Sequence, residues 1–300
     1  MNGIFLLDKP LGISSNAALQ KVKWIFKNLS THRIKAGHTG SLDPLATGLL
    51  PICLGDATKF SQYLLDSDKT YAVTMKLGIR TTTSDAEGDI ISTRNVPPLT
   101  LPDINTAFDF FRGETQQIPS MFSALKHNGI PLYDYARRGI EIQRPSRKII
   151  IYQLDVLNYQ NHNVEFTVKC SKGTYVRTLV DDLGERLNCG AHVTQLRRLA
   201  VGPFDASQMM TIEQLTQIAQ DHPQTIQTVL LSVDTAVSHW PAMIFSESMV
   251  MRLQQGQTVI APECIDAPFV RLKKEDHTFF GVAQVIDQQK IVPQRLINLN

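Results

Sequence analysis

The sequence lacks a long apolar run and lacks any pattern of paired cysteines. A transmembrane helix needs about 18 consecutive apolar residues, whereas the apolar run at positions 4–7 ends at Asp8 and is too short for a signal peptide. The four cysteines form no C-x-x-C pair and have no histidine at metal-ligand spacing, which argues against a zinc site or a disulfide framework. These absences predict a cytoplasmic protein with reduced thiols and no membrane association.

The chain also has no internal repeat, no low-complexity tract and no heptad pattern. The first two absences exclude solenoids, propellers and prion-like segments, and the lack of heptads favours a monomer. No feature of the sequence implies a protein partner. The chain of 300 residues is 43% hydrophobic and 19% charged, as in globular proteins, and this length suggests two domains.

Charge is distributed unevenly along the chain. The net charge is +6 for residues 1–200, −4 for residues 201–240 and zero for residues 241–300, so the first two thirds could attract an anionic partner such as a nucleic acid. Positions 221–241 contain no Lys or Arg and include His222-Pro223 and Trp240-Pro241, which favour a boundary between domains. We therefore predict domains at 1–238 and 239–300.

Hydrophobic periodicity predicts an α+β fold with a mixed, largely antiparallel sheet, because strand-like and helical segments do not alternate as regular βαβ units. A small β-rich domain follows it. Predicted strands cover 4–7, 71–77, 149–157, 164–170, 192–201, 270–272, 279–286 and 290–297; predicted helices cover 15–28, 57–65, 104–112, 132–138, 175–187, about 212–220 behind a capping box at Thr211 and Gln214, and about 248–254.

Residues 37–48, Gly-His-Thr-Gly-Ser-Leu-Asp-Pro-Leu-Ala-Thr-Gly, place three glycines and one proline around Asp43. Glycine permits backbone angles that other residues avoid, and Pro44 keeps Asp43 out of the helical region. We expect no regular element here and a rigid loop that presents a carboxylate. An ordinary turn with a local Asx hydrogen bond is the alternative.

Eight short motifs follow one another through the first 200 residues. They are Asp8-Lys9-Pro10, residues 37–48, Leu54-Gly55-Asp56-Ala57-Thr58-Lys59, Lys69-Thr70-Tyr71, Thr82-Thr83-Ser84-Asp85, Ile118-Pro119-Ser120-Met121, Ser171-Lys172-Gly173-Thr174-Tyr175-Val176-Arg177 and Leu196-Arg197-Arg198-Leu199. In sequence and in order they resemble the motifs of the TruB family of bacterial tRNA pseudouridine synthases. The resemblance implies an enzyme with a pseudouridine synthase catalytic domain, which isomerises the uridine at position 55 in the T-loop of tRNA and uses no cofactor and no metal.

The same resemblance implies roles for individual residues. Asp43 corresponds to the family nucleophile, and Arg177 to the cation that keeps such a carboxylate ionised. Tyr71 corresponds to the aromatic residue that stacks on the flipped uracil, and its phenol is suited to relaying the C5 proton. Asp43 could attack the sugar C1′ or the uracil C6, or assist a glycal route, and the sequence leaves these three open.

Further resemblances concern substrate binding. Tyr175 and Leu196 correspond to residues that line the uracil pocket, and His38 to a histidine that contacts the RNA. Asp85 occupies a family position, and we expect it to organise the wall of the site. Phe122 stands where the family often has tyrosine, which puts any hydrogen bond from that hydroxyl in doubt.

Three groups of basic residues could contact RNA phosphates, although each residue could equally belong to a solvated helix face. They are Lys21, Lys23, Lys27, Arg33 and Lys35; Lys126, Arg137, Arg138, Arg144, Arg147 and Lys148; and Lys172, Arg177, Arg197 and Arg198. The C-terminal segment more loosely resembles the RNA-binding PUA domain, for example at Phe280-Gly281-Val282-Ala283.

Two other functions remain open at this point. The chain could be an RNA chaperone that remodels tRNA without chemistry, although such a protein does not require a carboxylate aimed at a base. It could also be a hydrolase of the N-glycosidic bond, which usually needs a second carboxylate, and the sequence shows no obvious partner for Asp43.

Overall fold

The computed structural model describes residues 1–30 and 32–298. Seven α-helices lie in these ranges: α1 (Ser15–Asn28), α2 (Ser61–Leu65), α3 (Leu101–Asp109), α4 (Leu132–Arg137), α5 (Val176–Arg186), α6 (Ile212–Asp221) and α7 (Glu247–Gln254). Short 3₁₀ helices cover Gly55–Phe60, Ala206–Gln208, Pro223–Val229 and Val233–Val237.

Eighteen strands lie in the same described ranges: β1 (Gly3–Lys9), β2 (Ala36–His38), β3 (Ala46–Leu54), β4 (Lys69–Leu77), β5 (Ile79–Thr81), β6 (Ile90–Thr93), β7 (Gly113–Gln117), β8 (Lys126–His127), β9 (Ile130–Pro131), β10 (Arg147–Gln160), β11 (Asn163–Cys170), β12 (Ala191–Val201), β13 (Phe204–Asp205), β14 (Ala242–Phe245), β15 (Val259–Ile260), β16 (Phe269–Lys274), β17 (Phe279–Asp287) and β18 (Lys290–Leu296).

The large sheet runs in the order β1-β3-β12-β4-β11-β10-β7, with β2 paired to β3 and β13 paired to β12. Within it β3 and β12 run parallel, and the other pairs among the described strands run antiparallel. The predicted α+β class with a mixed, largely antiparallel sheet is therefore confirmed. The central strand β4 alternates buried and half-buried residues along its length, as a strand with one face on the core should.

Helix α1 begins and ends at the predicted residues. Ser14 caps it by accepting a hydrogen bond from the Ala17 backbone, and its apolar face, including Val22 and Phe26, is buried in the main core. The predicted capping box of α6 is also present, with Thr211 and Gln214 bonded reciprocally.

Two local predictions are wrong. Residues 37–48 lie partly in strands, because β2 ends at His38 and β3 begins at Ala46; the loop proper is confined to residues 39–45. The single helix predicted at 57–65 is instead the 3₁₀ helix Gly55–Phe60 followed by the short helix α2.

The C-terminal β-rich segment forms its own five-stranded sheet, in the order β14-β16-β17-β18-β15. It packs on the first part of the chain through aromatic rings: Phe279 lies 5.5 Å from Phe60, and Trp240 lies 4.9 Å from Tyr63, between ring centroids. Lys59 also donates from Nζ to the Leu296 carbonyl at 3.0 Å. The small sheet is thus docked on the large one, as its size requires.

Three of the cysteines, Cys53, Cys170 and Cys189, are buried as free thiols, whereas Cys264 is exposed. Within the described residues, no helix has the length and apolar character needed to cross a membrane.

Candidate active site

A cavity of about 400 Å³ is lined by residues of β4, of β12 and of the loop before β3. Five of the six residues proposed for the site line it: Asp43, Tyr71, Tyr175, Arg177 and Leu196. They come from four separate segments of the chain, so the fold brings together residues that are up to 153 positions apart.

The loop that carries Asp43 is fastened at Pro44, the next residue. The Pro44 carbonyl accepts a hydrogen bond from the Gly12 backbone at 2.9 Å and a longer one from the Lys9 Nζ at 3.5 Å. Lys9 is fully buried, and burial lowers its pKa to about 8, against the opposing attraction of Asp43. Its ammonium also binds the carbonyls of Pro10 and Ile13, so one side chain joins β1 to the Asp43 loop.

A second fastening lies just before Asp43. The buried hydroxyl of Ser15, the first residue of α1, donates to the Leu42 carbonyl at 2.9 Å and accepts from the Leu42 amide at 2.6 Å. Both backbone groups of Leu42 are therefore held by one side chain. The carboxylate is preorganised by neighbours on each side of it, which the glycines and proline alone could not achieve.

Arg177 lies in the first turn of α5 and points across the cavity wall. Its Nε is 2.9 Å from a carboxylate oxygen of Asp43, and its Nη1 is 3.3 Å from one of Asp85. The same guanidinium donates to the backbone carbonyls of Thr83 and Phe122, at 2.8 and 2.7 Å. Only 6% of the Arg177 side chain is exposed, so its position is fixed by these four partners.

Phe122 contacts Arg177 through its backbone and not through its side chain. Arg177 binds the backbone carbonyl of Phe122, which every residue type supplies. The missing tyrosine hydroxyl is not needed for this interaction.

Asp85 is more closely involved than the sequence indicated. Its side chain is 3% exposed, and one oxygen accepts hydrogen bonds from the Thr83 hydroxyl and the Glu87 amide while the other faces Arg177. The sequence showed no obvious second carboxylate to act with Asp43. Pairing along β12 brings the turn at Asp85 beside the cavity through a bridge to Val193, where Asp85 shares Arg177 with Asp43. No local pattern in the sequence marks such a long-range contact.

Two opposing influences act on the pKa of Asp43: burial raises it, and the Arg177 cation lowers it. Although 42% of its side chain is reachable from the cavity, the surrounding protein wall replaces bulk water, and this burial raises the pKa of Asp43. Arg177 acts in the opposite direction, and the charge of Asp85 raises the pKa further. The carboxylate is therefore poised to be more basic than an ordinary aspartate.

Tyr71 forms an apolar wall of the cavity beside a buried cation. It is 9% exposed and lies directly opposite Arg198 in the pairing of β4 with β12. Burial raises the pKa of the Tyr71 phenol, partly opposed by Arg198. The phenol is thus held in its protonated form, with a ring face suited to stacking.

Arg198 is 1% exposed and has no carboxylate ion pair among the described residues. It binds backbone carbonyls instead: Nε donates to Leu49 at 2.7 Å and Nη2 to Gly40 at 3.1 Å. The prediction that Arg177 and Arg198 contact phosphates is contradicted by their burial. Both lie in the wall of the cavity, where the adjacent motif residue Leu196 also contributes.

The close approach of β3 to β12 depends on Gly48. Its φ is +95°, and a Cβ at this position would lie 2.3 Å from the Arg198 carbonyl oxygen. Glycine therefore permits the parallel pairing that places Arg198 beside the Asp43 loop.

Tyr175 immediately precedes α5 and is held by Gln117 at the end of β7. The Gln117 side chain donates to the Tyr175 carbonyl at 3.0 Å and accepts from its amide at 2.8 Å. The guanidinium of Arg147 lies over the Tyr175 ring, 4.8 Å from its centroid. Both residues line the cavity.

His38 is placed differently from the other predicted residues. It ends β2 and does not line the cavity described above. Its Nδ1 is buried without a hydrogen-bond partner among the described residues, and burial followed by the charge of Arg198 lowers its pKa. These features indicate that the His38 imidazole is neutral.

Taken together, the cavity combines a basic carboxylate, a fixed cation and an aromatic face. Such a set can bind a flat base against Tyr71 and bring a nucleophilic oxygen of Asp43 to it. Leu196 also lines the cavity, from the interior strand β12.

Family models cover almost the whole chain. Residues 26–176 match the model of the TruB family pseudouridylate synthase N-terminal domain. Residues 177–238 match that of the tRNA pseudouridylate synthase B C-terminal domain, and residues 241–297 match that of the pseudouridine synthase II TruB C-terminal domain.

Curated relatives are similar to this chain over nearly their full length. The tRNA pseudouridine synthase B of Vibrio parahaemolyticus is 51% identical over 305 residues, covering 99% of this chain and 95% of the relative. The proteins of the same name from Coxiella burnetii and Yersinia pestis are each 49% identical, covering 99% of this chain and 95% and 92% of the relatives.

Solved structures share the fold. A chain in the crystal structure of a Cbf5–Nop10–Gar1 complex has a TM-score of 0.73 and 24% identity, covering 98% of this chain and 84% of that chain. A chain in the structure of an H/ACA ribonucleoprotein bound to a substrate RNA containing 2′-deoxyuridine has the same TM-score and coverage at 23% identity. The likeness confirms the predicted fold, an α+β domain followed by a small PUA-like β-rich domain.

Proposed function

The chain belongs to the TruB family of pseudouridine synthases, and from this premise we propose that it converts the uridine at position 55, in the T-loop of tRNA, to pseudouridine. At the coarser level, the chain is a tRNA pseudouridine synthase, an isomerase that makes pseudouridine from uridine in tRNA. Because its substrate is tRNA, the proposed place of action is the cytoplasm.

The observation that carries the proposal is the ion pair between Asp43 and Arg177 at the wall of the cavity. The reaction breaks the bond from uracil N1 to ribose C1′ and forms a bond from C5 to the same carbon; C5 loses a proton and N1 gains one. Atoms and electrons balance without an oxidant or reductant, so a nucleophile, a proton relay and a binding pocket suffice.

In the proposed mechanism the target uridine leaves the stacked loop and enters the cavity. Stacking on Tyr71, worth about 1–3 kcal/mol per base, offsets part of the cost of unstacking. Asp43, kept ionised by Arg177, then acts on the nucleotide, and the three routes at C1′, at C6 or through a glycal all require that carboxylate. The Tyr71 phenol is placed to relay the C5 proton.

Two alternatives make different demands on the same residues. A chaperone without chemistry has no use for a buried Arg177 that binds two carboxylates. A hydrolase needs a second carboxylate that can activate water, but both oxygens of Asp85 are already bound. The isomerase is the function that uses the whole arrangement.

The test measures tritium release from tRNA transcribed with 5-tritiated uridine, since only substitution at C5 frees that label. We expect release by the wild type, none by Asp43→Asn, and none from a transcript with cytidine at position 55. Asp89→Asn, an exposed change nearby, is the matched control and should keep full activity.

Each other outcome identifies an alternative. Turnover by Asp43→Asn would remove Asp43 from the mechanism. Free uracil without pseudouridine, separated by chromatography of the digested product, would support the hydrolase. Tight tRNA binding by the wild type without tritium release would support the chaperone.

A further inference from the structure

An exposed tryptophan lies on the outer face of α1, away from the cavity. The side chain of Trp24 is 64% exposed, while the opposite face of the helix, including Val22 and Phe26, is buried in the core. Tryptophan is seldom left so exposed. Its exposure is not a consequence of core packing, because the helix already buries a complete apolar face.

The surroundings of Trp24 are polar and positively charged. Helical spacing of three and four residues puts Lys21 and Lys27 on either side of it, with Gln20 and Asn28 on the same stripe. These four neighbours are all exposed. The aromatic ring is thus flanked by cations along one straight surface.

The charge of this surface is uncompensated. From Pro10 to Leu42 the sequence contains five Lys and Arg residues and no Asp or Glu. Lys21, Lys23, Lys27, Arg33 and Lys35 form no ion pair within the described part of the chain. An anionic partner would therefore meet no competing carboxylate on this segment.

Helix α1 begins beside the loop that carries Asp43. Ser15, at the start of α1, is bonded to the residue before Asp43, and Trp24 lies nine residues farther along the helix, about 14 Å away at 1.5 Å per residue. A substrate nucleotide in the cavity would leave the rest of the same RNA within reach of α1.

We propose that the exposed face of α1 is a second contact site for the substrate tRNA, in which Trp24 stacks on an unpaired nucleotide outside the T arm while Lys21 and Lys27 bind phosphates. This inference rests on the proposed function. Aromatic rings between cations are the usual platform for unpaired bases. In the T stem the base faces are covered by their neighbours, and the T-loop is engaged at the cavity through its target uridine, so we assign the stacked nucleotide to another part of the tRNA.

Other partners fit the surface less well. A membrane-surface helix presents several large apolar residues, whereas Trp24 stands alone among polar side chains. A second copy of the chain would bring like charges together at Lys21 and Lys27. The positive charge of Lys21 and Lys27 and the isolation of the Trp24 ring both favour RNA as the partner.

The experiment compares binding of full-length tRNA and of an isolated T-arm stem-loop. We expect Trp24→Ala to weaken the affinity for full-length tRNA by about tenfold, to leave the affinity for the stem-loop unchanged, and to leave kcat unchanged. Trp24→Phe should retain much of the affinity because it keeps a stacking face. Lys21→Ala and Lys27→Ala should each reduce the salt dependence of binding by about one counterion.

Fluorescence gives a direct readout. The chain contains two tryptophans, and the other, Trp240, packs against Phe269 and Tyr63. In a Trp240→Phe variant with unchanged unfolding and turnover, Trp24 is the single reporter. Its emission should be quenched by full-length tRNA and not by the stem-loop.

Several outcomes would overturn the inference: unchanged tRNA affinity in Trp24→Ala, equal losses with tRNA and stem-loop, or a response of Trp24 to phosphatidylserine vesicles but not to tRNA. Tritium release by the wild type on the same tRNA tests the proposed function independently. Release with no effect of Trp24→Ala overturns the inference alone, and absence of release overturns the proposed function.

Discussion

The two walls of the cavity are built in opposite ways. The wall on the sheet side carries Asp43, Tyr71 and Arg198, and the loop of Asp43 is fastened by buried side chains from β1 and α1. The facing wall includes Ser123, Ala124 and Leu125. They belong to the segment 118–146, in which three residues, Pro119, Ser123 and Leu132, are buried. Regions with few buried contacts open at lower free energy than the core. The contrast indicates that one wall fixes the reacting groups and the other admits the substrate.

The largest expected effect is on the fixed wall, at Arg177. Arg177→Met leaves Asp85 buried without its cation and removes the group that lowers the pKa of Asp43. We expect turnover to fall by about 10³-fold and the free energy of unfolding by about 3 kcal/mol. Single-turnover tritium release and urea unfolding measure the two changes.

A control for that variant is Arg94→Met, which removes an exposed ion pair with Glu185 and should change neither quantity appreciably. Turnover of Arg177→Met within tenfold of the wild type would show that the cation is dispensable.

The next effect concerns pH. Burial raises the pKa of Asp43, and Asp85 adds to that rise, so the activity that needs ionised Asp43 falls on the acid side at a higher pH than an ordinary aspartate would give. In Asp85→Asn the repelling charge is gone, the pKa of Asp43 drops and the acid limb of the pH–rate profile moves to lower pH. Asp89→Asn should not move it. An unshifted profile in Asp85→Asn would mean that Asp85 does not act on Asp43 through its charge.

Replacing Asp85 altogether tests its place in the wall. We expect Asp85→Ala to reduce turnover, because Arg177 loses one of its two carboxylates and the turn loses the hydrogen bonds that Asp85 accepts from Thr83 and Glu87. Unchanged turnover would refute an organising role for this residue.

The adjacent residues Ser14 and Ser15 allow a matched pair of substitutions, for which a smaller effect is expected. Ser15→Ala removes the hydroxyl that holds both backbone groups of Leu42, and we expect about tenfold lower kcat with little change in KM, since the Asp43 loop loses its position. Ser14→Ala removes the cap of α1 and costs about 1 kcal/mol of stability without touching that loop. Equal kcat for the two variants would contradict the fastening role of Ser15.

The smallest effect is expected on the open wall. Leu125 lines the cavity and is 37% exposed, so Leu125→Ala should change stability by less than about 1 kcal/mol and raise KM about threefold at constant kcat. Ile244→Ala, a similarly exposed position in β14, should change neither. A fall in kcat at Leu125 would show that the open wall also positions the reacting groups.

Much of the fold could be predicted because its signals are local. The bounds of α1 and the capping box of α6 follow from helical periodicity and cap residues within a few positions. Strand β3 was missed because it is nearly all buried, which hides the alternation of a strand, and because it contains Pro51. Pro51 lies opposite Leu6 of β1. On the other side of β3 it lies between the residues paired with β12 (46–48) and those paired with β2 (52–54), so on that side the missing amide costs no ladder bond.

The site could be predicted only as far as motifs identify residue types. Asp43, Tyr71, Tyr175, Arg177 and Leu196 were expected together, and they line one cavity. The burial of Arg198, the contact of Asp85 with Arg177 and the position of His38 outside the cavity depend on strand register across the sheet. Register is a long-range property, and a single sequence carries little information on it.

The distribution of thiols makes the native chain ready for selective chemical labelling. Burial raises the pKa of Cys53 to about 12 and that of Cys170 to about 11, and Cys189 is buried as well, so these three react slowly with thiol reagents. Cys264, exposed in the C-terminal domain, is the position where a maleimide dye would attach without engineered cysteines. A fluorophore there would report on the approach of tRNA to the small domain while every residue of the cavity stays unmodified.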